Sequence, residues 1–227
     1  MGARSRALDG IIAIAAVLAI AGCSDEAGVL GGPADARAGA RGDARTDADA
    51  GGRSCERPYV SPPDEIICGE PDQVLTLTLP GAVEQVEGCT RFRGGIHLPD
   101  ASRPDRLAPL HALRRLDGRF TIFRNHALED LRDLANLESV GGMFSIRIDD
   151  SDGLFTSVDG LSSLCEVGSL QLDFNRWLQR LDGLSALEVV RGDVQITGNA
   201  ELSSAEIDAL LDRVRVEGAI EVADNGG

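Results

Sequence analysis

The 227-residue chain contains no lysine, so all 22 of its basic side chains are arginine, set against 37 aspartates and glutamates. Without lysine there is no Schiff-base amine and no phosphate-cradling loop of the GxxxxGK type. The formal net charge of −15 leaves no broad cationic face to displace counterions from a nucleic acid, so nucleic acid is not an expected partner. Aromatic residues are scarce, at 4% with a single tryptophan, so a core must come from the aliphatic residues that dominate the 43% apolar fraction. Long apolar runs are missing too: residues 11–21 fall far short of the ~20 residues that span a bilayer. No Cys-x-x-Cys, Gly-x-Ser-x-Gly or His-Glu-x-x-His is present. The length suits one ordinary domain.

What is there begins with an address. Met1-Gly-Ala-Arg-Ser-Arg6, the short apolar run and the small residues before Cys23 read as a secretory signal peptide over residues 1–22. Leu18-Ala-Ile-Ala-Gly-Cys23 resembles the bacterial lipobox, which implies lipidation of Cys23 as the first residue of the mature chain. An ordinary signal peptide with a chance cysteine is the alternative. The acidic surface would repel anionic lipid, so membrane attachment would rest on the acyl chains alone. Residues 23–54 are therefore read as lipid anchor and linker: Gly, Ala, Asp and Arg predominate, with no apolar period to bury. As a flexible chain that linker would reach about 30 Å. The expected location is the bacterial cell envelope, on the outer membrane in preference to the inner.

The remainder is a repeat, visible once glycines serve as the ruler. Gly94, Gly118, Gly142, Gly168, Gly192 and Gly218 are separated by 24, 24, 26, 24 and 26 residues. Two and four residues after each glycine stand only apolar side chains: Ile96 and Leu98, Phe120 and Ile122, Phe144 and Ile146, Leu170 and Leu172, Val194 and Ile196, Ile220 and Val222. Between them lie His97, Thr121, Ser145, Gln171, Gln195 and Glu221, so each unit holds a short strand with one face in and one out. Seven residues after the glycine come Asn125, Asp149, Asn175, Asn199 and Asn225, side chains that suit a corner by bonding their own backbone. Leucines then recur every third residue, as in Leu128, Leu131, Leu134 and Leu137, and again in Leu178, Leu181, Leu184 and Leu187. The third unit carries Phe155, Val158, Leu161 and Leu164, displaced by three residues around Asp150-Ser-Asp-Gly153. Period three is neither a helical face nor a strand, and suits a chain turning about a common axis. No single coil buries its inner face, whereas stacked coils share a core. The expected fold is mainly β: a short leucine-rich-like solenoid of about six coils of 24–26 residues, with one helix near the C-terminal end.

Cys89-Thr-Arg-Phe-Arg-Gly-Gly-Ile-His-Leu98, Val140-Gly-Gly-Met-Phe-Ser-Ile146 and Leu181-Asp-Gly-Leu-Ser-Ala-Leu187 resemble the receptor L domain, the leucine-rich-like solenoid of growth-factor and insulin receptor ectodomains. The resemblance covers roughly residues 68–227. It implies a right-handed β-solenoid with an exposed, ligand-facing parallel sheet, and a Cys68–Cys89 disulfide closing the N-terminal cap. It does not imply hormone binding, because a single L domain is present with no Cys-rich module beside it.

The solenoid would occupy residues 89–227 and its N-terminal cap residues 55–88, where Val74-Leu-Thr-Leu-Thr-Leu79 alternates as a strand and Pro80-Gly81 turns it. Ser203-Ser-Ala-Glu206 reads as a capping box opening a helix through Ile207, Leu210, Leu211 and Val214. The final strand leaves an edge that Glu221 and Asp224 would keep from pairing further. Cys55 and Cys165 remain: they pair with each other, or Cys165 is a buried free thiol, the favoured reading.

Chemistry is thinly represented. His97, His111 and His126 fall in different columns, so no metal site is expected, nor any cofactor or catalytic residue. The acidic run around Asp149–Asp152 hints at calcium but lacks the EF-hand spacing, and reads as a solvated loop. The outward columns of the sheet are more informative. Arg119, Thr121, Phe123, Met143, Ser145 and Arg147 would form one compact patch on an otherwise acidic protein, and an aromatic beside arginines is the composition of an interface centre. Alternatively Phe123 folds over a neighbouring strand and the arginines neutralise nearby acids. Trp177 is a second contact on the rim or, as favoured, a plug near Phe155. The expected function is non-catalytic binding of a protein or glycan. A polysaccharide-acting envelope enzyme and a passive spacer are the alternatives.

Overall fold

A computed structural model describes residues 61–227 apart from 100–103 and 150–153. The signal peptide, Cys23, the linker, Cys55 and the acidic residues 150–152 lie outside the described residues. Among the described residues are twelve strands and one α-helix: β1 (Ile67–Cys68), β2 (Val74–Thr76), β3 (Arg91–Phe92), β4 (Gly95–Pro99), β5 (Arg115–Leu116), β6 (Phe120–Phe123), β7 (Ser139–Arg147), β8 (Glu166–Asp173), β9 (Val189–Val190), β10 (Val194–Thr197), α1 (Ser204–Leu211), β11 (Arg215–Val216) and β12 (Ile220–Ala223).

All pairings are parallel, and they form two ladders. One runs β2-β4-β6-β7-β8-β10-β12, with Ile96 opposite Phe120, Phe120 opposite Phe144, Phe144 opposite Leu170, Leu170 opposite Val194, and Val194 opposite Ile220. The glycine ruler is thus the strand register itself. A second ladder of shorter rungs runs β1-β3-β5-β7-β8-β9-β11, and the long strands β7 and β8 belong to both. The sheet is open, as a solenoid-like fold requires. Val74–Thr76 adds a rung before the first glycine unit, so the cap strand continues the ladder. It is shorter than the alternation suggested: Leu79 N donates to Thr76 O (3.0 Å), turning the chain ahead of Gly81, whose φ is +75°.

The glycines recur because backbone rests on backbone there. Gly118 N donates to Gly94 O (2.9 Å), Gly142 N to Gly118 O (3.0 Å) and Gly218 N to Gly192 O (3.1 Å). A β-carbon on Gly118 would sit 2.5 Å from Gly94 O, and one on Gly168 2.6 Å from Gly142 O. The register shifts between Val140 and Met143, where β8 has one residue fewer than β7 and Gly168 faces Gly141 and Gly142 together.

The period of three proves to be helical after all, in the tighter form. Leu134 N donates to Leu131 O, Leu137 N to Leu134 O, Leu184 N to Leu181 O and Leu187 N to Leu184 O, all i to i+3. Short 3-10 turns at Arg132–Leu134 and Asp182–Leu184 follow, and their eclipsed side chains put every third leucine into the core. The leucines of these series are buried, as are Phe155, Val158, Leu161 and Leu164. Together with the strand residues they form one continuous cluster from Leu75 to Val214.

The asparagines do more than turn a corner. Asn175 Nδ2 donates to Ile146 O (2.9 Å) and Asn199 Nδ2 to Leu172 O (2.8 Å), while Asn199 Oδ1 accepts from Asn175 N (3.0 Å) and Asn225 Oδ1 from Asn199 N (3.1 Å). Each amide therefore bonds the coil before it, and three of them stack as a ladder in which Asn175 and Asn199 are buried and Asn225 half-buried. In the third unit the ladder residue is Ile148, not Asp149: Asn175 Oδ1 accepts from Ile148 N (2.9 Å), and Ile148 is fully buried. The unit is one residue short before the corner, so its insertion is four residues after the corner instead of three.

Ser203 Oγ accepts from Glu206 N (3.4 Å) and caps α1, which buries Ile207 and Leu210. The reciprocal half of the box is absent: Glu206 Oε2 accepts from Leu181 N (3.0 Å), tying α1 to the preceding coil. Cys68 and Cys89 are joined by a disulfide. Cys165 is also disulfide-bonded, with a partner outside the described residues, which corrects the reading of it as a free thiol. Among the described residues no helix is long and apolar enough to cross a membrane.

Candidate binding surface

The outward face of the first ladder carries side chains in three columns. In the middle one, His97, Thr121, Ser145, Gln171, Gln195 and Glu221 stand in register. Ser145 is only 6% exposed. From coil four onward this column is a polar row: Gln171 Nε2 donates to Gln195 Oε1 (3.0 Å) and Gln195 Nε2 to Glu221 Oε2 (3.3 Å). Asp173 joins it from the next column, accepting from Gln171 Nε2 (2.6 Å) and Thr197 Oγ1 (2.8 Å), and is 5% exposed.

Coils two to four differ in character. Phe123 and Arg147 are directly opposite each other in register. The Arg147 guanidinium carbon lies 5.8 Å from the Phe123 ring centre and 4.4 Å from that of Phe174. Arg124 approaches Phe123 from its own strand end, also at 5.8 Å. One guanidinium thus bridges two rings from neighbouring coils, and a second flanks the first ring. Arg147 Nε donates to Asp149 Oδ2 (3.2 Å), yet its side chain keeps 41% of its surface exposed. Arg124 makes no ion pair among the described residues, and neither does Arg119.

Of the six residues expected to form one patch, Phe123 and Arg147 are in this cluster. Thr121 and Ser145 lie beside them in the middle column, and Ser145 is too buried to offer much contact. Arg119 and Met143 sit at the opposite end of the strands, both exposed; Arg119 lies over Gly95, where a β-carbon would come within 3.2 Å of its Cγ. Arg124 and Phe174 escaped the sequence reading. The alternation of in and out stops at the strand end, and nothing in residue type alone says that the next residue turns outward.

The backbone makes that choice visible. Arg124, Phe174, Gly198 and Asp224 occupy equivalent corner positions with φ of 56°, 54°, 69° and 56°. Gly198 adopts this left-handed conformation without steric cost, and aspartate tolerates it, whereas arginine and phenylalanine are strained there by about 1 kcal/mol each. Phe174 is 47% exposed, so burial does not offset its strain. Its ring lies over Gly198, where a β-carbon would meet Cδ1 at 3.0 Å. Backbone strain of this kind clusters at binding and catalytic sites, which makes Phe174 a candidate.

Two further features lie nearby in sequence. Arg176 stands 5.2 Å from the Trp177 ring, and the Trp177 indole nitrogen is buried with no hydrogen-bond partner among the described residues. On the second ladder, Arg191 links Glu166 and Glu217 across three coils, each at 3.0 Å; its pKa is raised chiefly by the hydrogen bond to Glu166. That network is exposed and serves the stacking of coils. No protein-family model matches the chain, and no curated protein matches it.

Proposed function

We propose that this chain is an exported, lipid-anchored protein of a bacterial cell envelope whose solenoid is a non-catalytic binding module, presenting the outer face of its parallel sheet to a protein or glycan. The receptor L domain remains the family it resembles, with about six right-handed coils; the strand register at separations of 24 and 26 residues supports that reading. The observation that carries the functional reading is the Phe123–Arg147–Phe174 cluster. Two coils supply the rings and a third the guanidinium, so neither sequence proximity nor core packing accounts for the arrangement. Arginine and aromatic side chains held against each other lose little freedom on binding, which is why they dominate the centres of interfaces.

The address rests on the lipobox-like Leu18–Cys23 segment. Acylated Cys23 would tether the solenoid through its Gly- and Ala-rich linker, leaving the acidic domain free of the lipid surface. Replacing Cys23 with serine should release the protein from the membrane fraction and abolish its acyl mass; retention of both would remove the anchor from the account. The binding role is tested by quantitative pull-down from envelope extract with the full-length protein and an Arg119→Glu, Arg147→Glu double variant. A partner held by the native protein and lost by the variant is the expected result. Equal recovery on both, or none on either, would leave a passive spacer as the better description.

A further inference from the structure

The outer face of the sheet is divided by charge, and the division specifies a ligand. Over coils two to four it is cationic and aromatic, with Arg124 and Arg147 lying against Phe123 and Phe174. Over coils four to six it is a row of carboxamides and carboxylates, with Gln195 and Glu221 partly or fully exposed. The arginines ask for anions. The rings are engaged by guanidinium groups; Arg147 gives its Nε–H to Asp149 and keeps its outer N–H groups, and Arg124 makes no ion pair among the described residues, so the face presents planar donors suited to carboxylate. The adjoining row asks for something else, because a carboxamide offers donors and acceptors together, and Glu221 offers acceptors only. A ligand anionic along its whole length would be repelled by Asp173 and Glu221. One that is rich in hydroxyl groups would satisfy them.

Deepening the sheet-face reading above, and resting on it, we infer that the ligand is an oligosaccharide bearing carboxylates, with uronate groups on Arg124 and Arg147 and sugar hydroxyls on Gln195 and Glu221. Spacing favours sugar over peptide. Neighbouring coils present equivalent side chains about 4.8 Å apart, whereas an extended peptide repeats its same-face side chains every ~6.6 Å. A pyranose ring is about as long as one coil spacing, so successive sugars keep step with successive coils. The strained corners fit this assignment: Phe174 and Arg124 hold the cationic half in place where glycine would give the easier backbone.

The test is calorimetric titration of the full-length protein in detergent with a partly methyl-esterified oligogalacturonate, in which charged and neutral sugars are mixed, a neutral oligogalactan of matched length, and poly-glutamate. The acidic sugar should bind, with the neutral sugar and the peptide each at least about tenfold weaker. Arg124→Gln and Arg147→Gln should each weaken binding about tenfold, and Arg147→Lys should do the same because an ammonium keeps the charge but not the stacked fork. Phe174→Gly is the decisive variant: it should lose affinity while its melting temperature stays equal or rises, an outcome a purely structural Phe174 would not give. Absence of oligogalacturonate binding, unchanged affinity in both arginine variants, or equal binding of poly-glutamate would overturn the inference. If sugar binding fails while the envelope pull-down still yields a partner lost in the Arg119→Glu, Arg147→Glu variant, only the ligand class falls. If both fail, the sheet-face reading falls with it.

Discussion

Asn199 shows how much a single side chain carries in a stacked fold. It is buried, its amide donates to Leu172 O, and its oxygen accepts from Asn175 N. Alanine there would strand a carbonyl and an N–H inside the protein, and each buried unsatisfied group costs about 1–3 kcal/mol. Asn199→Ala should therefore lower stability by about 2–4 kcal/mol in a urea titration. A change under ~0.5 kcal/mol would mean that the ladder contributes no more than an ordinary surface contact. The asparagines were visible in the sequence at a constant offset from the glycines, but their role was not. Bonding to the residue's own backbone and bonding to the previous coil call for the same side chain, and only the three-dimensional stacking distinguishes them. Ile148 was illegible for the same reason: one residue is lost before the corner, four are gained after it and one is lost in β8, so the 26-residue spacing from Gly142 to Gly168 shows only the net change. Phe174 and Arg124 were missed because their outward position is a matter of backbone φ, which residue identity does not report for a phenylalanine or an arginine.

At the scale of elements, the strands were the most legible part. Alternation over five residues, repeated six times with the same glycine before it, admits one register, since a slip of one residue would turn every core side chain to solvent. The glycine itself is explained by contact between backbones. Gly168→Ala would place a methyl group 2.6 Å from Gly142 O, and a shift of β8 against β7 would be needed to relieve it. Overpacking of this kind costs about 1–3 kcal/mol, so the melting temperature should fall; an unchanged value would show that the strands are not held at this separation. The period of three was read as a turning chain and is a run of 3-10 turns. Three residues per turn is the same number in either description, and the hydrogen bonds decide between them. α1 interrupts this pattern where Ser203 caps a true α-turn, and Glu206, released from its half of the box, bonds Leu181 in the coil below.

For the whole molecule, the two disulfides bear on the address as well as on stability. Cys68–Cys89 is closed and Cys165 is bonded elsewhere. If Cys23 carries lipid, Cys55 is the remaining partner for Cys165. Peptide mapping of the membrane-extracted protein should recover a Cys55–Cys165 link, and a Cys23–Cys165 link would contradict lipidation. Charge also acts at this scale. A net charge of −15 keeps anionic surfaces at a distance, while screening over about 8 Å at physiological ionic strength lets Arg124 and Arg147 act locally. The fold could be read from spacing because every coil repeats it. The proposed binding face could be read only in part, because three coils contribute to the Phe123–Arg147–Phe174 cluster and no one of them contains it.

The central claim is that the outer sheet face between coils two and four is the working surface. Its most direct test is site-specific photo-crosslinking in living cells, with a benzophenone side chain in place of Phe123 or, on the exposed 3-10 side of the same solenoid, in place of Asn136. The account requires a discrete adduct from position 123 and none from position 136. An adduct confined to position 136, or equal adducts from both, would contradict it.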